Sequence, residues 1–506
     1  VNVSIRNKLA KAKRRIERRL ERGGGNGGKP VFAASRIRYE LSEKTRGMGV
    51  GGIGVVHRLA QQIGLVEAID RHVHVLKIHL PYHESDHVLN FAYNAFCDGQ
   101  RLEDIELRRN DEVFLDALGA ERIPDPTTAG DFCRRFHASN IGSLMDAFDE
   151  ARLRVWAKQP EAFFQQATID LDGTLVVTTG ECKQGMDISY KGTWGYHPLL
   201  VSLAETGEVL RLVNRPGNRP SHDGATEEAD RAIALCRRAG FQRIVLRGDT
   251  AFSQSEKLDA WDDEGVTFYF GFKAMDNLEE IAENLPKKAW KKLVRPPRYE
   301  AKTESRRKPE NVKRRVVRLR EFENLTLQSE QVAEFDYSPA RSKKTYRMIV
   351  VRKNISHEKG ERRLFDEIRY FFYITNDREI PADEVVFTAN DRCDQENLIS
   401  QLSSGVRALS APVDNLHSNW AYMLMTSLAW NLKAWFALCL PDRGRWREKH
   451  RTEKQRVLRM EFKTFLNAFI RLPCQIVRTG RKLVYRVVAY NPHLPIFFRL
   501  CQALRC

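Results

Sequence analysis

The chain has no Cys-x-x-Cys pair anywhere, although it holds nine cysteines scattered from Cys97 to Cys506. That absence excludes a zinc ribbon and a thioredoxin-type redox motif and leaves reduced, buried thiols of a cytosolic protein. The N-terminus lacks the apolar stretch of a secretory signal. The most apolar window, Ala421–Leu440, is long enough to cross a bilayer but carries Asn431 and Lys433 near its middle, so it reads as a core helix. Acid is also scarce. Asp plus Glu number 66 against 83 Lys plus Arg, a net charge of +17, and the pI is near 9.5. Such a balance favours a polyanionic partner, nucleic acid first, although ribosome-associated and membrane-surface proteins share it. What is present in quantity is apolar: 42% hydrophobic residues rule out a disordered chain, and 506 residues make room for roughly three domains.

The run Gln166–Thr179 stands out. Thr168, Ile169, Leu171, Thr174, Val176 and Val177 are strand formers, and Asp170 and Asp172 sit among them. At a period of two, both acids point to one side of the strand. Like charges placed so are costly unless cations neutralise them, which hints at a metal site. The competing reading makes Asp172-Gly173 a hairpin turn. Downstream, Ile244, Val245 and Leu246 form a buried strand that ends at Gly248-Asp249, a second acid at a strand end. A third candidate, Glu396, lies in a segment that reads as a helix start, four residues after Arg392.

The remaining chain divides by pattern. Residues 1–22 carry nine Lys or Arg against two Glu, with Ile5, Leu9, Ile16 and Leu20 at helix-compatible spacing, followed by a glycine-rich linker at Gly23–Gly28. Arg14, Arg15, Arg18 and Arg19 make this a basic arm for DNA phosphates, or else a solvated helix. From about Val50 to Lys158 the pattern is helical, with stripes such as Val55, Val56, Leu59 and Ile63, and a capping box at Thr128-x-x-Asp131. His72, His74, His79, His83 and His87 cluster here. His83 and His87 have metal-ligand spacing, but Ser85 and Asp86 look like helix-start residues. Strands are expected at 199–203 and 209–213 around Gly207, then a helix over 225–239 closed by Gly240.

The 147 positions from Asp249 to Glu396 exceed a simple connection, so residues 275–345 read as an inserted, basic domain. It is rich in Lys and Arg, Arg298, Arg306, Arg307 and Lys308 among them, and its Lys287, Lys288, Lys291, Arg314 and Arg315 would contact DNA. Val316, Val317, Leu319 and 325–327 suit short strands. Trp290, set among lysines, either stacks an unpaired base or packs in a small core.

In chain order stand Asp172-Gly-Thr, Gly195-Tyr-His-Pro-Leu-Leu200, Arg215-Pro-Gly-Asn218, Arg247-Gly-Asp249-Thr-Ala-Phe252, Tyr373-Ile-Thr-Asn376 and Arg392-x-x-x-Glu396. Over residues 124–440 this series resembles the DDE transposases of bacterial insertion sequences, of the cut-and-paste type with an inserted β-rich domain. Where related enzymes often carry a Tyr and a Lys around the Arg/Glu motif, this chain has Ala389 and Ser403. The resemblance implies a multidomain α/β fold, in which a helical N-terminal domain precedes an RNase H-like mixed-sheet core. Its domains would be a basic arm and linker (1–28), a helical DNA-binding domain (29–158), the core in two parts (159–274 and 346–440) around the insertion (275–345), and a basic C-terminal region (441–506).

It also implies the chemistry. Asp172, Asp249 and Glu396 would bind Mg²⁺ or Mn²⁺, as two ions roughly 4 Å apart that serve in-line phosphoryl transfer. Asp170 is the alternate ligand or a neighbour, and Arg392 grips a phosphate or orients the Glu, or else forms an ordinary helix pair. His197 and Asn218 match the pattern without a derived role. Partners would be double-stranded DNA, as terminal inverted repeats and target, and a second copy of the chain, with no membrane. The location would be cytoplasmic, at the bacterial nucleoid. The function is then end binding, DNA cleavage and joining of 3′-OH ends. The alternatives are a catalytically decayed DNA-binding protein and a metal-dependent nuclease on the same core.

Overall fold

The computed structural model describes residues 2–21, 34, 37–39, 45–79, 81–295, 311–480 and 482–505. The Gly23–Gly28 linker and Arg298, Arg306, Arg307 and Lys308 lie outside them. In chain order the elements used below are α1 (Val3–Glu21), α2 (Ile53–Gln62), α3 (Leu65–His72), α4 (Glu84–Phe96), α5 (Pro126–Arg134), α6 (Ala138–Trp156), β1 (Gln166–Gly173), β2 (Leu199–Leu203), β3 (Glu208–Val213), α7 (Ala225–Ala239), β4 (Arg243–Gly248), α8 (Ser255–Asp263), β5 (Val266–Phe272), β6 (Lys291–Lys292), α9 (Val312–Leu319), β7 (Glu323–Tyr337), β8 (Tyr346–Lys359), β9 (Arg362–Thr375), α10 (Ala382–Asn390), α11 (Cys393–Ser400), α12 (Leu416–Leu438), α13 (Arg447–Leu458) and α14 (Leu494–Ala503). This is the mixed α/β organisation expected. It divides into two compact units, one of Val1–Phe164, Gly173–Arg219 and Gln395–Cys506, the other of Gln165–Asp172 and Pro220–Asp394.

The first unit is built around α12. Its side chains are apolar on nearly every face and almost all are buried, the behaviour of a helix enclosed on all sides. It packs against α4, α5 and α6 and against the antiparallel hairpin β2–β3. Asn431 in its middle accepts from the Val209 amide at 2.9 Å, and Lys433 donates to the Leu458 carbonyl at 2.7 Å. Among the described residues no helix is long and apolar enough to cross a membrane. A buried charge network completes this core. Glu208 accepts from Arg152 Nε at 3.1 Å, Trp156 Nε1 at 2.9 Å and Trp435 Nε1 at 2.6 Å. Asp149 pairs with Arg152 and, at 2.6 Å, with Arg211.

One local expectation here is corrected, and the helix-start reading of Ser85 and Asp86 is met. The helix expected to start with a box at Thr128 and Asp131 begins a little earlier: Asp125 accepts from the Thr128 amide at 2.8 Å, and Pro126 supplies the preset φ of a first helical residue. The histidine cluster is a helix entry. His83 is the N-cap of α4, its amide bonded to Asp86 at 2.9 Å, while His87 stacks on Phe132 with ring centroids 4.2 Å apart.

The second unit is a sheet in the order β6-β7-β8-β9-β5-β4-β1. Strands β1, β4 and β5 run parallel, and β9 pairs antiparallel to β5. Their interiors are apolar on both faces (Ile244, Val245, Leu246; Phe268, Tyr269, Phe270), as strands covered on both sides must be. Helix α10 lays Val385, Val386 and Ala389 on Tyr269, Val332, Ile349 and Val351. Strands β7, β8 and β9 are 15, 14 and 14 residues long and form one antiparallel ladder, so position 345 falls in the connection between two strands paired along their length. Residues 325–327 are strand, as expected, but Val316, Val317 and Leu319 belong to helix α9. Asn311 caps that helix by accepting from the Arg314 amide at 3.1 Å, which starts a turn that the basic side chains then continue in solvent.

Candidate active site

The candidate site lies at the carboxyl ends of β1 and β4 in the second unit. Their parallel register pairs Asp170 with Arg247 and Leu171 with Gly248. Asp172 and Asp249 are the next residues, so two carboxylates leave the ends of neighbouring strands, which lie about 4.8 Å apart. Strand β1 continues through Gly173, and Val176–Val177 pairs with Trp194–Tyr196 rather than with β1. The hairpin-turn reading of Asp172-Gly173 therefore has no hairpin to close.

The turn after β4 is sterically specified. A Cβ on Gly248 would sit 2.7 Å from Phe252 Cβ, and one on Gly271 would sit 2.9 Å from the Thr250 nitrogen. These two glycines let residues 249–252 fold back over the sheet with Phe252 buried. Asp249 is half-buried, and its Oδ1 accepts from the Ala251 amide at 2.8 Å.

The two acids of β1 face different surroundings. Asp170 is 1% exposed and holds Arg247 through two bonds, Nε–Oδ1 at 2.7 Å and Nη2–Oδ2 at 2.9 Å. Burial pushes its carboxyl up, Arg247 pulls it down, and Asp394 and Arg392 act on it more weakly, with opposite signs. Arg247 Nη1 also donates to the Thr388 carbonyl at 3.2 Å, which ties β1 and β4 to the end of α10. The Asp172 side chain is 15% exposed, and Arg392 Nη1 stands 3.9 Å from its Oδ2. Arg392 precedes α11 in a turn, so it serves Asp172 from outside the helix.

Glu396 stands exposed on α11, in the first unit, beside Gln395, which is buried and donates to the Leu200 carbonyl at 3.1 Å. Among the described residues no three His, Cys, Asp or Glu side chains converge as a metal-holding group. The structure thus brings together Asp170, Asp172, Asp249 and Arg392. Asp394, whose charge reaches Asp170, is an acid that sequence reasoning passed over; its signal was its place two residues after Arg392.

Other motif residues hold the backbone. His197 and Arg215 bond each other's carbonyls, at 2.7 Å from the His197 amide and 2.9 Å from Arg215 Nε. Asn376 joins two elements: its Oδ1 accepts from the Phe268 amide at 3.1 Å and its Nδ2 donates to Asp262 at 2.8 Å. Of the residues expected to touch DNA, Arg14, Arg15, Arg18, Arg19, Lys287, Lys288, Lys291, Arg314 and Arg315 are all exposed. Trp290 is not. It is 9% exposed, and the Arg352 guanidinium lies 4.2 Å above its ring, so base stacking gives way to core packing.

A family model described as transposase DDE domain group 1 matches residues 47–506. The chain belongs to this family. Membership makes it a DDE transposase-type chain, of a class of enzymes that cleave DNA. No curated protein matches it. Among solved structures it is similar to a piggyBac transposase in a synaptic complex with hairpin DNA, at 11% identity over 84% of this chain and 82% of that one, with a TM-score of 0.36. In this DDE chain the Asp-Gly-Thr and Arg-Gly-Asp motifs supply the two strand-end carboxylates.

Proposed function

We propose that the protein is a transposase that binds the ends of an insertion sequence, cleaves the DNA and joins the freed 3′-OH ends to target DNA. The observation that carries this reading is the pair Asp172 and Asp249, one residue past the last register pair of two parallel strands, in a chain of the DDE family. The donor set suits a hard, oxygen-ligated cation: two half-buried carboxylates, with the most buried acid nearby already neutralised by Arg247. Asp172 and Asp249 would hold Mg²⁺ or Mn²⁺. Such ions, when bound, supply charge stabilisation for in-line phosphoryl displacement.

The protein's own residues have separate tasks in this reading. Asp170 is a positioning residue: its pair with Arg247 holds the two strand ends in register and anchors the end of α10, from which the chain runs on to Arg392. Arg392 balances the charge at Asp172 and can hold a phosphate oxygen of the DNA. The Ala251 amide fixes one Asp249 oxygen and leaves the other lone pairs for ligation. A homodimer pairing two DNA ends is part of the proposal.

The test is nicking and strand transfer on duplexes that carry the element's terminal repeats, with and without Mg²⁺. Wild-type protein should yield both products, and Asp249→Asn neither, at unchanged thermal stability. Nicking without a joined product would leave a nuclease on this scaffold. Full Mg²⁺-dependent nicking by folded Asp249→Asn would remove the carboxylate site altogether.

A further inference from the structure

We infer that the N-terminal helix α1 and the segment 443–456 around α13 form one composite surface for the phosphates of duplex DNA, separate from the carboxylate site. This inference rests on DNA being the partner of the proposed transposase.

The two segments stand at opposite ends of the sequence, and the fold joins them. Helix α1 packs on α14, and the groove it shares with α13 and α14 is lined by Arg6 and Leu9 on the first, Trp446 and Lys449 at the second, and Pro495 and Arg499 on the third. Ile5, Leu9 and Ala12, at helical spacing, are the partly covered side of α1. Its other faces are exposed and basic. Lys8, Lys11, Arg15, Arg18 and Arg19 follow one another at intervals of three, four, three and one along one stripe. From Lys8 to Arg19 that stripe runs about 16 Å at 1.5 Å per residue, roughly five base pairs of duplex.

Beside the groove the same charge continues. Arg443, Arg445, Arg447, Lys449, Arg451 and Arg456 are exposed, while Glu453, the acid lining the groove, holds Arg499 at 2.7 Å. Trp446 is 57% exposed, with the Arg445 guanidinium 5.6 Å from its ring. A large aromatic left in solvent between arginines is a contact group for nucleic acid, since its face packs on sugar or base while the cations hold phosphate.

Charge complementarity commits the surface to a polyanion. An anionic bilayer shares that charge but needs the apolar face of an amphipathic helix to enter the membrane interface. Here Ile5, Leu9 and Ala12 of that face are partly covered within the protein, and although Val3 and Ile16 stand exposed, the outward surface is mainly cationic.

The experiment measures binding of the full chain to a 20-base-pair duplex of arbitrary sequence over a salt series, because phosphate contacts carry no sequence information. Each lost contact should lower the slope of log K against log salt by about 0.9. Arg445→Glu with Lys449→Glu should lower it by about 2 and weaken binding at least about tenfold at ~0.1 M salt. The neutral pair Arg445→Gln and Lys449→Gln should act in the same direction with a smaller drop. Lys11→Glu with Arg15→Glu should do likewise, and the four reversals together should lower the slope by the sum of the two effects. Trp446→Ala should weaken binding several-fold at unchanged slope. Wild-type affinity in the Arg445/Lys449 variants would overturn the composite surface, as would binding of wild type to phosphatidylserine vesicles but not to duplex. Neither result touches the nicking assay, so a failure here is distinct from a failure of the transposase reading.

Discussion

Acids occur in two settings in this molecule. In the first unit Glu208 and Asp149 are 0% and 1% exposed; Glu208 is closed in by a guanidinium and two indoles, and Asp149 by two guanidinium groups. At the strand ends of the second unit Asp172 and Asp249 are half-buried, with a guanidinium 3.9 Å from one and a backbone amide on the other. Asp170 belongs with the first kind although it is only two residues from Asp172. The difference teaches what burial does to a carboxylate. An acid removed from water needs its donors built in and becomes a fixed part of the scaffold, whereas the half-buried acids at the strand ends are, in the proposed reading, metal ligands.

The sharpest way to break this comparison is to neutralise one acid of each kind. Asp249→Asn and Asp172→Asn should each lower Mg²⁺-dependent nicking by at least about a thousandfold, some 4 kcal/mol of barrier, with the unfolding midpoint unchanged. A fall in midpoint with nicking retained would reverse the assignment. Glu208→Ala should do the opposite. It removes one of the two buried carboxylates that hold Arg152 and the carboxylate that accepts from two indoles, and should cost about 3–5 kcal/mol in urea unfolding.

A pH series extends the comparison to a buried base. Burial in α4 holds His87 down to about 4, below its ordinary 6.5. The unfolded chain therefore takes up a proton at this position as pH falls through 6.5, and the folded protein does not until about 4. Stability should decline across that window by about 3 kcal/mol and level off below it. His87→Phe should flatten the decline, as read from urea midpoints between pH 7 and 4. The smallest effect belongs to Asp170→Asn, which keeps the shape of its pair with Arg247 but not the charge. A loss of about 2 kcal/mol in stability with about a tenfold drop in nicking is expected. A drop as severe as that of Asp172→Asn would make Asp170 the first ligand.

Much of the fold was legible. Helix α7 runs over the expected 225–239 and ends at Gly240, which has a φ of +97°, because an apolar stripe closed by a glycine is a local signal. The strands on either side of Gly207 and the strand before Gly248-Asp249 were equally local. Of the candidate site, both strand-end acids and Arg392 stood in readable motifs. Less was legible where a distant partner decides. Val316 and Val317 suit a strand by propensity, yet Asn311 caps a helix there. Trp290 and Trp446 both stand among basic residues, but Arg352 covers the first and nothing in its own segment announces that.

By itself, then, the sequence determined the family, the order of strands and helices along the chain, the excess of positive charge and the acids that motifs mark. These are properties of residue type and spacing, which act over one or two turns of chain. Only the tertiary structure decided that Asp170 is held by Arg247 while Asp172 stands beside Arg392, that Trp290 is core and Trp446 surface, and that α1 shares a groove with α13. Each depends on which residue from elsewhere in the chain arrives to exclude water or to supply a donor, and spacing along one segment carries no record of that.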